Sequence, residues 1–343
     1  MNFGAVGPSM TIRELVESSK KDLPEIDAAL ANRDSSAWNA AGDLDWELEI
    51  RSDDPCIDPT WAPFGRTAAF AALPRQVQNI LARRALARAL ANLQAGEAIG
   101  IDVCRRLGQR SKKDGLKNFF LGQAQDEAQH FAALTGFVEK MGGARSDIDP
   151  FLEARFNEIL ASDDEAFLIA STQFFTENLA VPMLQRMESM ATHPLLKQIF
   201  ALMLRDESKH AGFGVRYVAD RLRDADPETR LAFGSFWLAR ILQELADPYG
   251  SYVAMLVRNW LSEAGVEAFA AIADRLIEEQ RAIREKEREM LARGEYVPQL
   301  LLSAVKVGLL APDILNALGA EHHPLIAGAL KAAGRDRGLS GFA

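Results

Sequence analysis

The sequence predicts an all-α fold, a four-helix bundle with extra helices before and after it. Three observations lead there. Apolar residues recur at three- and four-residue steps through long segments. Prolines, glycines and small polar residues punctuate those segments where helices start and stop. No run of alternating apolar and polar residues reads as a strand. Of the 343 residues, 48% are hydrophobic and 25% charged, which suits a packed core under a charged surface.

Along the chain, residues 1–34 read as one or two short helices. Ser9 is placed to cap Met10–Ser19, and Pro24 to open a second helix at Glu25. Residues 35–73 carry Trp38, Trp46 and Trp61 among Pro55, Pro59, Pro63 and Gly65, without a helical period. They read as an extended arm on the surface of the bundle, held through its aromatic residues. Pro74 opens a long helix to about Arg110, with Val77, Ile80, Leu81, Leu86, Leu90, Leu93 and Ile101 inward. Arg83, Arg84, Arg88, Arg105 and Arg106 are expected on its outer face. The next helix begins near Ser111, with Asp114 three residues on, and stops at Gly142-Gly143. A short helix over 150–162 follows. A third long helix, capped by Asp163, runs to Met190 with a kink expected near the turn preceding Pro182. His193-Pro194 starts a fourth, to about Arg223. Asp226-Pro227 opens another, broken near Pro248 and Gly250. Gly265 then precedes a helix with a highly charged end, Glu278–Arg293. Two short helices, about 296–310 and 313–333, complete the chain. The expected organisation is an N-terminal part over 1–73, a bundle over 74–223 and C-terminal helices over 224–343 packed on it, all one structural domain.

Composition excludes several function classes. The net charge of -9 leaves no basic stripe for nucleic acid. No apolar run is long enough for a membrane span. The start, Met1-Asn2-Phe3-Gly4-Ala5, lacks the basic and apolar regions of a signal peptide. The two cysteines, Cys56 and Cys104, form no Cys-x-x-Cys pair, so neither a zinc ribbon nor a rubredoxin-type site is expected. A cytoplasmic location follows as the expectation.

The bundle segment holds a repeated pattern. Glu97 precedes Asp126-Glu127-Ala128-Gln129-His130, and Glu177 precedes Asp206-Glu207-Ser208-Lys209-His210. One constant offset relates Glu97 to Glu177, Glu127 to Glu207 and His130 to His210. Each glutamate lies about four turns from the connection of its hairpin, so the two members of a pair meet at one level. Within each Glu-x-x-His the two side chains share a helix face. Two such hairpins pool four carboxylates and two imidazoles, the ligand set of a carboxylate-bridged pair of metal ions in a helix bundle. Burying the carboxylates without cations would be very costly. Asp126 and Asp206 are expected to take the outer N–H of the histidines in a crossed arrangement, Asp206 on His130 and Asp126 on His210. His193 reads as a helix-start residue and His322-His323 as surface. Met183, Met187, Met203 and the phenylalanines at 119, 120, 174 and 175 read as core rather than a cofactor box, with some of them candidates to line a pocket.

This constellation resembles the ferritin-like di-iron superfamily, in its oxygen-activating branch, over about residues 74–223. That branch includes monooxygenase hydroxylase subunits, acyl-carrier-protein desaturases, ribonucleotide reductase small subunits and arylamine N-oxygenases. The resemblance implies Glu97, Glu127 and His130 around one iron, and Glu177, Glu207 and His210 around the other. It also implies dioxygen as co-substrate. Branch-specific positions differ from each member. Leu134 stands where the reductase subunits carry a radical tyrosine. Ile99 and Thr172 stand at the valine–tyrosine crosslink of the related oxidases. Ala180 and Val181 replace the threonine of the monooxygenases and desaturases. Met203 replaces the third histidine of the arylamine N-oxygenases.

The expected protein is a non-heme di-iron oxygenase acting on a small hydrophobic or aromatic substrate, by hydroxylation or N-oxygenation. An external electron donor, a ferredoxin or a reductase, would serve it, since the sequence has no flavin or iron–sulfur signature, and a homodimer is the expected assembly. A ferroxidase or iron-storage protein and a radical-generating or manganese–iron oxidase subunit are the alternatives. The long segments on both sides of the bundle favour the oxygenase over storage. Trp38 or Trp46 is a candidate for an electron path, with surface packing as the favoured reading.

Overall fold

A computed structural model describes residues 10–30, 38–143, 147–245, 250–295, 297–320 and 323–336. Among them no β-strand occurs, only an isolated bridge between Ile57 and Ala191. Ser9, the first five residues, Pro248 and His322 lie outside the described residues.

Four long helical segments make the bundle. Helix α1 spans Ile12–Leu30, and a short α2 spans Ala68–Ala71. Helices α3 (Arg75–Arg110) and α4 (Asp114–Lys140) form the first hairpin. Helix α5 (Pro150–Leu160) then leads to a composite helix. It has α6 (Glu165–Ile169), a π-helical turn (Ala170–Thr176) and α7 (Glu177–Met190). Helix α8 (Pro194–Asp224) completes the second hairpin against α7.

The bundle interior consists of two apolar clusters with a polar layer between them. On α3 the changeover falls between Leu93 and Ala95, and on α4 between Phe131 and Ala133. The second hairpin changes over between Phe175 and Leu184 and between Met203 and Val218. All six repeated Glu and His residues sit at these changeovers, buried.

Helices α9 (Pro227–Leu245), α10 (Gly250–Glu263), α11 (Phe269–Ala292), α12 (Gln299–Lys306), α13 (Pro312–Leu318) and α14 (Pro324–Asp336) follow. Of these, α12 packs on α7 and α8, α10 on α3, and α9 on α8.

Several expectations are corrected. Pro24 lies inside an unbroken α1 rather than opening a second helix. A proline removes one i→i−4 bond, which a helix can bridge when its flanking turns remain. The cap of α6 is Asp164, which accepts from Phe167 N, while Asp163 pairs with Arg110. The irregularity foreseen in the turn before Pro182 lies earlier still, in the π-helical turn, and α7 runs through the proline. The tail holds three short helices where two were expected, because Gly319 at φ +58 ends α13 and a new helix starts at Pro324. Arg88 turns inward, paired with buried Asp149. Of the residues read as core or pocket lining, Met183 is 39% exposed and lines a cavity.

The largest correction concerns the arm. Trp38, Leu44, Ile57, Phe64 and Phe70 are buried in the apolar cluster on the α7–α8 turn side of the polar layer. The arm is also stitched by backbone hydrogen bonds. Asp58 N donates to Met190 O at 2.8 Å, and Thr192 N to Cys56 O at 3.0 Å. Arg83 donates to Asp54 O and Met141 O, both at 2.6 Å. Aromatic side chains this large gain more by insertion than by lying on a charged surface.

Candidate metal centre

The polar layer brings the six repeated residues together. Two groups of donor atoms form, each with all its atoms within 4.8 Å of one another: Glu97, Glu127, His130 and Glu207, and Glu127, Glu177, Glu207 and His210. Glu127 and Glu207 belong to both groups. His130 Nδ1 lies 3.2 Å from Glu97, 3.3 Å from Glu127 and 3.0 Å from Glu207. His210 Nδ1 lies 2.9 Å from Glu207 and 3.4 Å from Glu127. Both imidazoles therefore point Nδ1 at the shared carboxylates.

The outer nitrogens face the two aspartates across the bundle. His130 Nε2 is 3.6 Å from Asp206 Oδ2, and His210 Nε2 is 3.4 Å from Asp126 Oδ2. Asp206 is held on several sides. Trp38 Nε1 donates to its Oδ2 at 2.8 Å, and Lys209 Nζ approaches its Oδ1 at 3.0 Å. The Trp38 indole also stacks on His130, with ring centroids 5.9 Å apart and planes at 21°. Trp38 is thus a buried neighbour of the site, not a surface residue. Trp46 stays nearer the surface, half-buried, with Nε1 donating to Ala40 O at 2.6 Å.

Burial and charge act against each other here. Burial, then the neighbouring Glu207 and Glu127 carboxylates, raise the Glu177 carboxyl well above the usual range. Glu97 is raised by burial despite the attraction of His130. Burial disfavours an imidazolium at His130 and His210, yet the carboxylates around them win. His130 is raised well above its ordinary value and His210 to about 10. Burial also opposes ionisation of Asp206, but the nearby His130 imidazole and the hydrogen bonds from Trp38 and Lys209 hold it well below the carboxylate range.

This donor set fits two metal ions. Among the described residues no lysine or arginine pairs with Glu97, Glu127, Glu177 or Glu207. Four carboxylates with only two imidazoles beside them leave excess negative charge in a low-dielectric layer, which two divalent cations neutralise. The donors are oxygen and imidazole nitrogen, which suit iron or manganese.

Local structure explains how the carboxylates reach one another. Gly100 lies one turn after Glu97, and a Cβ there would stand 2.9 Å from Glu127 Cγ. The π-helical turn ends at Thr176, so it sets the rotation at which Glu177 enters the layer. Gly214 on α8 lets that turn approach, since a Cβ there would stand 2.2 Å from the Gln173 carbonyl carbon. Gln123 Nε2 donates to Glu127 Oε1 at 2.7 Å. Its position four residues before Glu127 on one helix face is a signal that the sequence does carry. Trp38 had no such signal, because its partners are remote in sequence.

A cavity of about 550 Å³ opens on the layer. All four glutamates line it, with Leu93, Phe156, Phe167, Phe175 and Trp237 among its apolar walls. Arg88, Arg155, Arg240 and Arg284 also line it. Arg88 pairs with Asp149, Arg155 with Glu244 and Arg240 with Glu158. Cys56 and Cys104 are both buried and unbridged. No described helix is long and apolar enough to cross a membrane.

The family model for P-aminobenzoate N-oxygenase AurF matches residues 26–282. No curated protein and no solved structure matches the chain.

Proposed function

This chain belongs to the p-aminobenzoate N-oxygenase family of ferritin-like di-iron oxygenases, and from that premise we propose that it oxidises the nitrogen of a small aromatic amine held beside its carboxylate layer. The observation that carries this reading is the cavity, apolar and aromatic over most of its wall, with Glu97, Glu127, Glu177 and Glu207 lining it.

In this reading Glu97 and His130 would hold one iron and Glu177 and His210 the other, while Glu127 and Glu207 would serve both, because those two belong to both donor groups. When bound, the iron pair supplies the activation of dioxygen, a chemistry beyond the reach of side chains alone. The residues of the chain do the rest. Phe156, Phe167, Phe175 and Trp237 present ring faces and edges to an aromatic substrate and keep water from its reacting nitrogen. Arg88 and Arg155 place N–H donors on the same wall, able to meet a polar substituent. Asp206 and Asp126 orient the two imidazoles from behind. Electrons come from an external donor, a ferredoxin or a reductase, since the two buried cysteines offer no iron–sulfur site.

The test is anaerobic loading with Fe(II), then dioxygen with a panel of arylamines, charged and uncharged, and product analysis by mass spectrometry. An added oxygen on the amine nitrogen is the expected outcome. Ring hydroxylation alone, or iron oxidation with every amine unchanged, would sink the N-oxygenation reading. Metal analysis of the purified protein decides between an iron pair and a manganese–iron pair.

A further inference from the structure

The cavity beside the four glutamates is far larger than one aromatic ring. We propose that it takes an arylamine with a long apolar tail, the ring at the carboxylate layer and the tail lying along α3 beneath Trp61 and Pro63. This rests on the arylamine reading above and gives the molecule a shape.

A dry apolar cavity of about 150 Å³ is enough to hold one benzene ring. This one has about 550 Å³. Its wall follows one face of α3 at three- and four-residue steps, from Gly100 and Glu97 back through Leu93 and Ala89 to Ala85. At a rise of about 1.5 Å per residue that is roughly 20 Å of helix, well past the length of a ring. The stretch of α3 that leads away from the layer shares an apolar cluster with Leu184 and Met187 of α7, so both helices leave the layer on the same side.

On that side the wall is formed by Trp61 and Pro63 of the arm, Ala85 and Ala89 of α3, Met183 of α7 and Val253 of α10. Met183 is the exposed one among them and marks where the cavity meets solvent. Arg88 is the charged residue on this stretch of α3, and it is already paired with Asp149. An apolar tail therefore finds apolar partners along its whole length. Gly96 stands between the two halves. A Cβ there would meet only Phe156 Cζ, at 3.9 Å, an ordinary contact. Packing does not demand a glycine at that point, and a glycine inside a helix costs stability. What it provides is width where ring and tail would join.

The test is an anaerobic calorimetric titration of the Fe(II)-loaded full chain with para-alkylanilines, from methyl to octyl. Without dioxygen the amines bind and are not consumed. Affinity should rise about three- to fourfold with each methylene buried. Ala89→Leu fills the far half and should flatten that rise. A rise that ends before the butyl compound overturns the proposal, and so does an equal slope in Ala89→Leu. The wild-type series decides by itself should Ala89→Leu not fold. Admitting dioxygen to the same samples separates the two readings. A long amine that binds by this slope but keeps its nitrogen unoxidised supports the tail and sinks N-oxygenation alone. A methyl compound that binds and reacts as well as the octyl one sinks the tail alone.

Discussion

Glu127 and Glu207 are the side chains on which both donor groups depend. The isosteric change Glu127→Gln keeps the volume and removes the charge. It is expected to lower iron below one ion per chain, whereas Glu177→Gln should spare the His130 position. Iron assay after gel filtration separates the two results, and equal losses would remove the bridging role from Glu127. Arg88 offers a different kind of test. It neutralises Asp149, which is buried and also caps α5 through Phe151 N at 3.1 Å. Arg88→Ala leaves that carboxylate buried and unpaired, at a cost of about 3–5 kcal/mol. Urea denaturation should show it, and a change within error would mean that water reaches Asp149. At this scale the sequence was legible where chemistry repeats. Six residues at a fixed offset stood out, and the structure brings all six together. Trp38, Gly100 and the cavity arginines were not legible, because each depends on a partner from another helix.

Helix ends were legible where proline, glycine or a capping side chain marks them. Pro74, Gly142-Gly143 and His193-Pro194 all sit at observed ends. The π-helical turn Ala170–Thr176 was not, since Ala-Ser-Thr-Gln-Phe-Phe-Thr differs in no local preference from ordinary helix. Its surroundings are tertiary, with Gly214 of α8 leaving room for its backbone. Gly214→Ala should force that turn aside and rotate Glu177 out of line. We expect a stability loss of about 1–3 kcal/mol and an iron content reduced with it. A variant with full iron and unaltered melting would show that the turn relaxes without moving Glu177. The burial of the arm was not legible for a related reason. Its tryptophans and prolines show no period, and a segment without period reads as surface unless its partners are known.

For the whole molecule, the polar layer ties stability to metal and to pH. Without metal, the folded-state values of His130, His210, Glu97 and Glu177 are all raised. A raised group binds more protons folded than unfolded, so its contribution is lost as pH rises. For His210 that contribution is complete below the unfolded value of about 6.5 and gone once pH has passed about 10. The metal-free protein should therefore melt at lower temperature at pH 9 than at pH 6. Metal replaces the protons, so the loaded protein should melt higher at both and depend less on pH. Loading near neutral pH should also release protons, which a weakly buffered titration can count. A metal-free melting temperature that climbs from pH 6 to pH 9 would show that the carboxylates are already ionised and hydrated.

The reach of Trp38 to Asp206 has a consequence for how the chain is made. The two residues are 168 positions apart. Trp38 leaves the ribosome early, and its acceptor on α8 follows only much later. Contacts of such separation form late, after the loop between them has closed. The first hairpin can assemble while the rear of the cluster is still open, and the indole arrives afterwards like a stopper in a filled flask. Ions that enter before that moment need no channel through the finished protein.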